Sequence, residues 1–321
     1  MARRITPPHL YLPPIFVIVQ ALKEYGCEDL TSRLHSETLS AAQAIFNGGY
    51  GNIYTGILDR RYKVAIKALR VSTGPGDEAD VLPKRAAREL YTWSRCSNRN
   101  VLPLLGLAVI DNQIRMVSWW MDNGDLPGYL SRNPDVDRLD MCTQISQGLQ
   151  YIHGLPMIHG DLKGPNVLVS DTGVPMITDF GNAVLEYGTV QFTKTAQLPG
   201  FTVRWTAPEL LMSEDFAQSK EADVYALGMT ILEVMSGKVP FANQKHEIRL
   251  IAAIVTKNLT PDRPEAEIPT GDERSDRLWT LLGRCWSSEP AERPSASEVA
   301  ETMAQIMAGK AEDPITANAE V

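Results

Sequence analysis

Cysteine is scarce in this chain of 321 residues, which has only four, placed far apart in the sequence. None of Cys27, Cys96, Cys142 and Cys285 has a partner at the spacing of a CxxC pair. We therefore predict neither a zinc site nor a disulfide framework. Reduced thiols are typical of cytosolic and nuclear proteins, so we expect a cytoplasmic location, with the nucleus as the alternative.

Long apolar runs are also missing. The apolar runs, such as residues 15–19 and 250–255, are short, whereas a helix that crosses a bilayer needs about 20 apolar residues. The sequence starts with basic residues, but several prolines come soon after them, and there is no secretory apolar region or small-residue cleavage site. We expect no membrane span.

Positive charge is not in surplus. The net charge of −8 disfavours nonspecific binding to nucleic acid and docking on an anionic membrane surface. The hydrophobic fraction of 44% and the charged fraction of 22% are close to the averages of globular proteins. A chain of this length can bury an ample core in one large domain or two.

The residue pattern divides the chain into four parts. Residues 1–40 form an extension with a proline-rich start and a short apolar stretch, which we expect to be a helix or an ordered strap. Residues 41–118 are rich in strand-forming runs, and residues from about 122 to 307 show helical periodicity. The small and polar residues 308–321 are predicted to be a disordered tail. Strands followed by helices indicate an α+β protein with two lobes.

Local signals predict the elements of the strand-rich part and two helices after it. The predicted elements of the first part are strands at residues 52–58, 62–69, 101–109 and 114–117 and a helix at residues 78–95. The first two strands are β-branched and aromatic runs around a short turn, which predicts a hairpin. Later, two sets of apolar residues recur at three- and four-residue spacing and predict amphipathic or buried helices. The sets are Cys142, Ile145, Leu149 and Ile152, and Val224, Leu227, Ile231 and Val234.

One stretch carries the chemistry. Residues 159–166 read His-Gly-Asp-Leu-Lys-Gly-Pro-Asn, and Asp-Phe-Gly is found at residues 179–181. Phosphoryl transfer needs a base for the hydroxyl proton, a cation that offsets charge on the transferred group, and oxygen ligands for Mg²⁺. We predict that Asp161 is the base and Lys163 the cation. Asn166 and Asp179 are then the predicted metal ligands, and a polar turn between strands is the alternative.

These residues resemble the catalytic loop and the metal-binding turn of the protein kinase superfamily. Gly160 is a departure, because most of the family has Arg at this position. Further along, the triplet at residues 207–209 matches the family's Ala-Pro-Glu, and Arg293 matches the arginine that pairs with its carboxylate, here Glu209.

The resemblance implies a fold and its limits. It covers roughly residues 43–307 and implies a kinase domain at residues 41–307. The expected fold is α+β and two-lobed: a small antiparallel β-sheet lobe with one helix at 41–118, a hinge at 119–122, and a larger, mainly α-helical lobe at 123–307.

A second set of residues resembles the ATP-binding half of a kinase. Residues 64–67 read Val-Ala-Ile-Lys, as in the family, and the resemblance implies that Lys67 reaches the phosphates of ATP. It also implies that Glu89, on the predicted helix, holds the Lys67 ammonium in an ion pair. Taken alone, a lysine on a strand and a carboxylate on a helix are more often solvated surface residues.

The glycine segment at residues 46–53 resembles the family's glycine-rich loop. Gly48, Gly49 and Gly51 lack side chains that would keep backbone N–H groups away from phosphate oxygens, and Ile53 stands for the family's Val. Phe46 replaces the first glycine of the pattern. By itself, the segment is also consistent with an ordinary tight turn.

The resemblance further implies an adenine pocket. Side chains alternate along a strand, so Ala65 and Lys67 share one face, and the small Ala65 leaves room for a flat base. Ser118 is the expected gatekeeper residue. Backbone groups of Trp119 and Met121 are expected to bind the adenine edge. The alternative is that the side chains of Trp119 and Trp120 simply pack in a core.

The motifs point to one branch of the superfamily and to one acceptor hydroxyl. They resemble the tyrosine-kinase-like branch of Ser/Thr kinases, in a form familiar from fungi. Lys163, two residues after Asp161, and Thr202, before the Ala-Pro-Glu triplet, imply phosphorylation of Ser and Thr. Candidate phosphorylation sites in the intervening segment are Tyr187, Thr189, Thr193 and Thr195.

The implied function is an ATP- and Mg²⁺-dependent kinase that acts on Ser/Thr hydroxyls of protein substrates, without nucleic-acid partners. Its oligomeric state stays open. One alternative is a pseudokinase scaffold, because Phe46, Gly160 and Asn182 depart from the family pattern. The other is a small-molecule phosphotransferase of the aminoglycoside or choline kinase type, because His-Gly-Asp-Leu also occurs in those loops.

Gly160 also bears on regulation. In most kinases, the arginine at this position binds a phosphate on the activation segment and orders it. Gly160 has no side chain for this contact, and Lys194 or Arg204 are the cations that could replace it. We expect little dependence on phosphorylation of this segment, with control coming from the first 40 residues, from partners or from abundance.

Overall fold

The computed structural model describes residues 14–35, 46–47, 51–69, 81–185, 202–212 and 218–309. These residues form two compact units. The first comprises residues up to Arg95 together with Pro103–Trp120, and the second comprises Cys96–Leu102 and the residues from Met121 onward.

The described residues of the first unit form a five-stranded antiparallel sheet and two α-helices. The helices are α1 (Pro14–Glu24) and α2 (Val81–Ser94), and the strands are β1 (Phe46–Asn47), β2 (Gly51–Leu58), β3 (Tyr62–Leu69), β4 (Leu104–Ile110) and β5 (Gln113–Trp119). The strand order is β1-β2-β3-β5-β4. Asp111 and Asn112 both have positive φ in the two-residue turn between β4 and β5, as a tight hairpin of this kind requires.

One face of the sheet is buried under the segment that comes after α1. Val64 and Ile66 of β3 are fully buried on this face, and Leu30 and Leu34 of the N-terminal segment belong to the same core cluster. We call residues 27–35 the strap. Burial of these aliphatic side chains stabilises the sheet and the strap together.

Backbone hydrogen bonds attach the strap to two strands of the sheet, β4 and β2. Leu30 N donates to Leu107 O over 2.8 Å, and Leu107 N donates to Glu28 O over 2.8 Å. At the other end, His35 N donates to Ile57 O over 3.1 Å. The expected helix or ordered strap in residues 1–40 is thus both, a helix and then a strap, while residues 1–13 and 36–40 lie outside the described residues.

The second unit is mainly helical. Its helices are α3 (Leu126–Arg132), α4 (Arg138–Gly154), α5 (Pro208–Met212), α6 (Lys220–Ser236), α7 (Glu247–Lys257), α8 (Glu273–Cys285) and α9 (Ala296–Ala308). Two small sheets pair β6 (Met157–Ile158) with β9 (Val184–Leu185) and β7 (Val167–Val169) with β8 (Pro175–Ile177). Helix α6 is buried on all sides from Ala222 to Val234, because it packs against α4 and α8. It is the central element around which this unit is built.

The observed elements confirm the α+β class and correct some predicted boundaries. Strand β3 covers the predicted residues, but β4 begins at Leu104, three residues after the predicted start. Pro103 has no N–H for a strand ladder, and Val101 belongs to the second unit, where it forms an isolated bridge to Ile177. Ala308, predicted to begin the tail, is the last residue of α9. Residues 310–321 lie outside the described part, and the predicted domain limits stay predictions.

No helix among the described residues is both long enough and apolar enough to cross a membrane.

The strap gives a stability prediction at Gly106. A Cβ at this position would lie 2.2 Å from the carbonyl oxygen of Glu28, so Gly106→Ala forces the strap away from β4. We expect a loss of about 1–3 kcal/mol in the free energy of unfolding, measured by urea denaturation. Gly283→Ala in α8 is the matched control, because nothing lies within 4 Å of its added Cβ. Helix propensity predicts that this control is neutral or stabilising, and equal destabilisation of the two variants would contradict the docking of the strap.

Candidate active site

Lys67 and Glu89 form a buried ion pair in the first unit. Lys67 Nζ lies 2.6 Å from Glu89 Oε1, and the side chains are 12% and 3% exposed. Lys67 is placed by β3, where it points to the face opposite the buried Val64 and Ile66, and Glu89 is placed by α2. Removing one partner of such a pair leaves an uncompensated buried charge, so the pair ties α2 to the sheet. The ion pair predicted from the sequence is confirmed.

The residues predicted around the adenine lie on the Lys67 face of the sheet. Ala65 pairs directly with Ser118, and Lys67 pairs with Met116, so the four side chains share one face. Ser118 is buried. Trp119 pairs with Val64 and therefore has its side chain on the opposite face, which leaves its backbone as the group for a ligand. These assignments to a nucleotide stay predictions.

The end of the glycine segment also lies next to Lys67. Ile53 pairs with Lys67 across the β2–β3 ladder. A Cβ at Gly51 would lie 2.7 Å from Ala68 O and 3.6 Å from Lys67 Cε, so only glycine leaves this space open. Gly48 and Gly49 lie outside the described residues, as do the contacts that were predicted for them. Met121, the other residue expected at the adenine edge, is the first residue of the second unit after β5.

The catalytic loop of the second unit brings three of the predicted side chains together. Lys163 Nζ lies 3.0 Å and 2.9 Å from the two carboxylate oxygens of Asp161. Asn166 Nδ2 donates to Asp161 O over 2.7 Å and to Asp161 Oδ2 over 2.9 Å. Lys163 Nζ also donates to Thr202 Oγ1 over 3.0 Å. A carboxylate and a hydroxyl from two distant segments thus share one ammonium group.

The protonation of Asp161 is set by opposing effects. Burial raises the pKa of Asp161 above its ordinary value, the ammonium of Lys163 opposes this rise, and the negative charge of Asp179 adds to it. A carboxylate with a raised pKa is a stronger proton acceptor than an exposed one. Lys163 and Asn166 stabilise the ionised form that a base requires.

Asp179 and Asn166 have the donor atoms for a hard cation. Asp179 lies in the left-handed region, with φ of 68°, directly before the turn at Phe180–Asn182. The nitrogen of the Asn166 amide faces Asp161, so the amide oxygen points away from Asp161. One amide oxygen and one carboxylate fit Mg²⁺, which binds proteins through few oxygen ligands and completes its shell with substrate phosphates. No cluster of three or more His, Cys, Asp or Glu suited to a metal occurs among the described residues.

A buried carboxylate of α6 holds the start of the catalytic loop. Asp223 Oδ2 accepts from His159 N over 2.7 Å, and Asp223 Oδ1 accepts from Gly160 N over 2.8 Å. His153 Nε2 of α4 lies 2.9 Å from Asp223 Oδ2. Asp223 therefore fixes the backbone of the two residues before Asp161. The sequence alone did not predict these contacts of Asp223 and His153.

Gly160 suits the backbone at this point. Its φ is 79°, and a Cβ would lie 2.8 Å from the carbonyl oxygen of Asn182. Both the left-handed backbone and the crowding favour glycine over a residue with a side chain. Two of the three departures from the family pattern, Gly160 and Asn182, therefore lie next to each other.

Glu233, also on α6, joins the catalytic loop to the segment before α5, a role that the motifs of the sequence did not predict. Its Oε2 accepts from Gly164 N over 2.9 Å and from Trp205 Nε1 over 3.1 Å. Burial raises the pKa of Glu233 to about 7, although both hydrogen bonds act in the opposite direction. A glutamate within the apolar run Ile231-Leu232-Glu233-Val234 was the signal that the sequence offered.

Two arginines secure the segment around the Ala-Pro-Glu triplet. Arg293 forms a bidentate pair with Glu209, with distances of 2.6 Å and 2.7 Å, which confirms the predicted pairing. The guanidinium of Arg204 donates to three backbone carbonyls, those of Pro240, Phe241 and Gln244, over 2.6–2.8 Å. Arg204 is thus engaged with backbone oxygens, and Lys194 lies outside the described residues.

Glu233 gives a pH prediction. Its pKa is raised from the ordinary 4.5 to about 7, so the folded protein holds this proton more tightly than the unfolded chain does. The stability that the protonated carboxyl contributes is complete below pH 4.5 and is lost as the pH rises through about 7.

Urea unfolding at pH 5 and pH 7.5 therefore separates wild type from Glu233→Gln. We expect the wild type to lose on the order of 2 kcal/mol more stability than the variant over this interval. The variant keeps an acceptor oxygen but cannot titrate, so other groups cancel in the difference. Identical pH dependence of the two proteins would show that Glu233 is ionised throughout.

Comparison with known sequences agrees with this geometry. The family described as "Protein tyrosine and serine/threonine kinase" matches residues 39–303. The PR5-like receptor kinase of Arabidopsis thaliana is 33% identical over 305 residues, which cover 89% of this chain and 44% of the relative. Two more relatives from the same plant are serine/threonine-protein kinase STY46, 28% identical over 84% of this chain, and serine/threonine/tyrosine-protein kinase HT1, 27% identical over 79%.

The matched relatives are longer proteins. The chain spans 44% of STY46, 62% of HT1 and 44% of the receptor kinase. The names of these relatives agree with the tyrosine-kinase-like branch predicted from the motifs. Because the family match covers most of the sequence, the chain belongs to the protein kinase family.

Proposed function

We propose that this chain is a protein serine/threonine kinase that uses ATP and Mg²⁺. The observation that carries the proposal is the position of the Lys163 ammonium, within hydrogen-bond distance of both the Asp161 carboxylate and the Thr202 hydroxyl. The family uses a nucleotide triphosphate and a divalent metal in general, and the oxygen donors of Asn166 and Asp179 fit the metal.

The residues of the catalytic loop have separate tasks in the proposed reaction. Bound Mg·ATP supplies the phosphoryl group. Asp161 orients the substrate hydroxyl and accepts its proton, and Lys163 offsets negative charge that develops on the transferred group. Asn166 and Asp179 hold the metal. In the first unit, Lys67 holds phosphate oxygens of the nucleotide, and Glu89 keeps the Lys67 ammonium in place.

The acceptor is proposed to be Ser or Thr. Thr202 Oγ1 binds the same ammonium that neutralises the Asp161 carboxylate. This contact holds the segment before α5 next to the proposed base. The bidentate Arg293–Glu209 pair then anchors that segment to the rest of the second unit. A segment that is anchored beside the base in this way supports a protein substrate over a small amino alcohol.

The cellular setting is part of the proposal. All four cysteines are buried and none is part of a disulfide, which fits a reducing compartment such as the cytoplasm or nucleus. The net charge of −8 supports partners other than nucleic acid.

A transfer assay with radiolabelled ATP tests the proposed function. The purified chain is offered generic proteins in one set of reactions and amino alcohols in another, and a thermal-shift titration with Mg·ATP runs in parallel. We expect label on Ser and Thr of the proteins and none on the amino alcohols. Label on the alcohols would instead indicate a small-molecule phosphotransferase, and binding without any transfer would indicate a pseudokinase scaffold.

Substitution of the two carboxylates separates their tasks. Asp161→Asn is expected to lower kcat by at least about a thousandfold and to leave the Kd for Mg·ATP within about threefold, because the base acts on the substrate hydroxyl. Asp179→Asn is expected to weaken Mg·ATP binding itself by removing the charge of a metal ligand. Kinase assays and calorimetric titration provide the two readouts. Near wild-type turnover by Asp161→Asn would refute the assignment of the base.

The proposed regulation needs no phosphate on the segment at residues 186–201. Gly160 has no side chain and Arg204 donates to three carbonyls, so neither offers a guanidinium to a phosphate. We expect phosphatase treatment, and Thr189→Ala, Thr193→Ala and Thr195→Ala singly, to change kcat/KM by less than tenfold.

Thr202→Ala is the comparison variant for this experiment. It removes the partner of Lys163 and is expected to lower activity whether or not the enzyme carries phosphate. A loss of tenfold or more on dephosphorylation, about 1.4 kcal/mol in the barrier, would contradict the proposed regulation.

A further inference from the structure

Helix α1 and the strap precede residue 39, where the family match begins, yet they are built into the first unit. We propose that Tyr25, at the end of α1, is a positioning residue that acts through Tyr91 to hold α2 and thereby keeps Glu89 on Lys67. This proposal rests on the proposed function, because Lys67 and Glu89 are the residues proposed to hold the nucleotide.

Tyr25 and Tyr91 are in direct contact. Their ring centroids lie 5.1 Å apart with an interplanar angle of 80°, which is an edge-to-face pair. Tyr91 is itself fixed, because Arg95 stacks over its ring at 4.9 Å and donates from Nη2 to its hydroxyl over 2.7 Å. An edge-to-face pair of this geometry changes an equilibrium by a few-fold to about tenfold.

Tyr91 lies on α2, two residues after Glu89. Residues two apart in an α-helix point to nearly opposite sides, because each residue turns the helix by about 100°. Glu89 faces the sheet and reaches Lys67, so Tyr91 faces away from it, toward α1. Helix α2 is therefore held from two sides, by an ion pair on one and by an aromatic pair on the other.

Helix α1 has its own attachment to the sheet. Val19 and Leu22 of α1 are buried, and α1 packs against both α2 and β5. Cys27 N donates to Leu22 O over 3.0 Å, which joins the helix directly to the strap and its hydrogen bonds with β4. Tyr25, directly after α1 and bonded to it through Ala21 O, is thus attached to an element that is fixed relative to Lys67, and it can transmit that constraint to α2.

The exposure of Tyr25 makes the idea testable without unfolding the protein. Its side chain is among the exposed large hydrophobic residues, at 63%, so truncation removes little buried surface. Val17 is the matched control: it lies on the same helix, is 55% exposed, and is about two residues' rotation from Val19, on the side away from the buried face.

The experiment uses the full chain as wild type, Tyr25→Ala, Tyr25→Phe and Val17→Ala. Three quantities are measured: the Kd for Mg·ATP, KM and kcat in the kinase assay, and amide hydrogen exchange of α2. We expect Tyr25→Ala to raise the Kd and the KM for ATP about three- to tenfold and to speed exchange in α2, with exchange in α6 unchanged. Tyr25→Phe keeps the ring pair and should stay within about twofold of wild type, as should Val17→Ala.

Two further variants, Glu89→Gln alone and Glu89→Gln combined with Tyr25→Ala, test whether Tyr25 acts through Glu89. In a Glu89→Gln background the ion pair is already lost, so adding Tyr25→Ala should not raise the Kd for Mg·ATP further. Wild-type Kd and α2 exchange in Tyr25→Ala would overturn the proposal, as would equal effects in Val17→Ala or additive effects with Glu89→Gln. Because nucleotide binding and exchange need no turnover, these outcomes are distinct from a failure of the proposed kinase activity.

Discussion

The candidate site depends on one buried carboxylate, that of Asp223 on α6. A carboxylate without partners is costly to bury, and Asp223 meets this cost with the N–H groups of His159 and Gly160 and with the ring of His153. These bonds fix the backbone directly before Asp161. The left-handed φ at Gly160 belongs to the same constraint, and it explains in physical terms why a glycine suits a position where the family usually has arginine.

Helix α6 acts as a frame for the segments that carry the chemistry. Asp223 holds the start of the catalytic loop, and Glu233 holds its middle at Gly164 and the segment before α5 at Trp205. Lys163 then joins the loop to Thr202. The first unit uses the same principle with a different frame: the sheet carries Lys67, the strap bonds to β4 and β2, and α1 packs against both β5 and α2.

The sequence predicted those parts of the site whose determinants are close together along the chain. The loop around Asp161 and the limits of β3 could be predicted because each rests on a local pattern, whereas the Lys67–Glu89 pair, 22 residues apart in the sequence, was implied by the resemblance to kinases. The strap and Glu233 could not be placed, since their partners are far away: Leu30 bonds to Leu107, and Glu233 to Gly164. Such pairings leave no local periodicity, and β4 begins late because Val101 is recruited into the second unit by its bridge to Ile177.

The most direct test of the account is mass spectrometry of the purified chain after incubation with Mg·ATP and a generic protein substrate, beside a matched Asp161→Asn preparation. The geometry of Asp161, Lys163 and Thr202 predicts phosphoserine and phosphothreonine that appear with time in the wild-type reaction and are absent with the variant. Unmodified protein despite bound Mg·ATP, or phosphate on tyrosine alone, would contradict it.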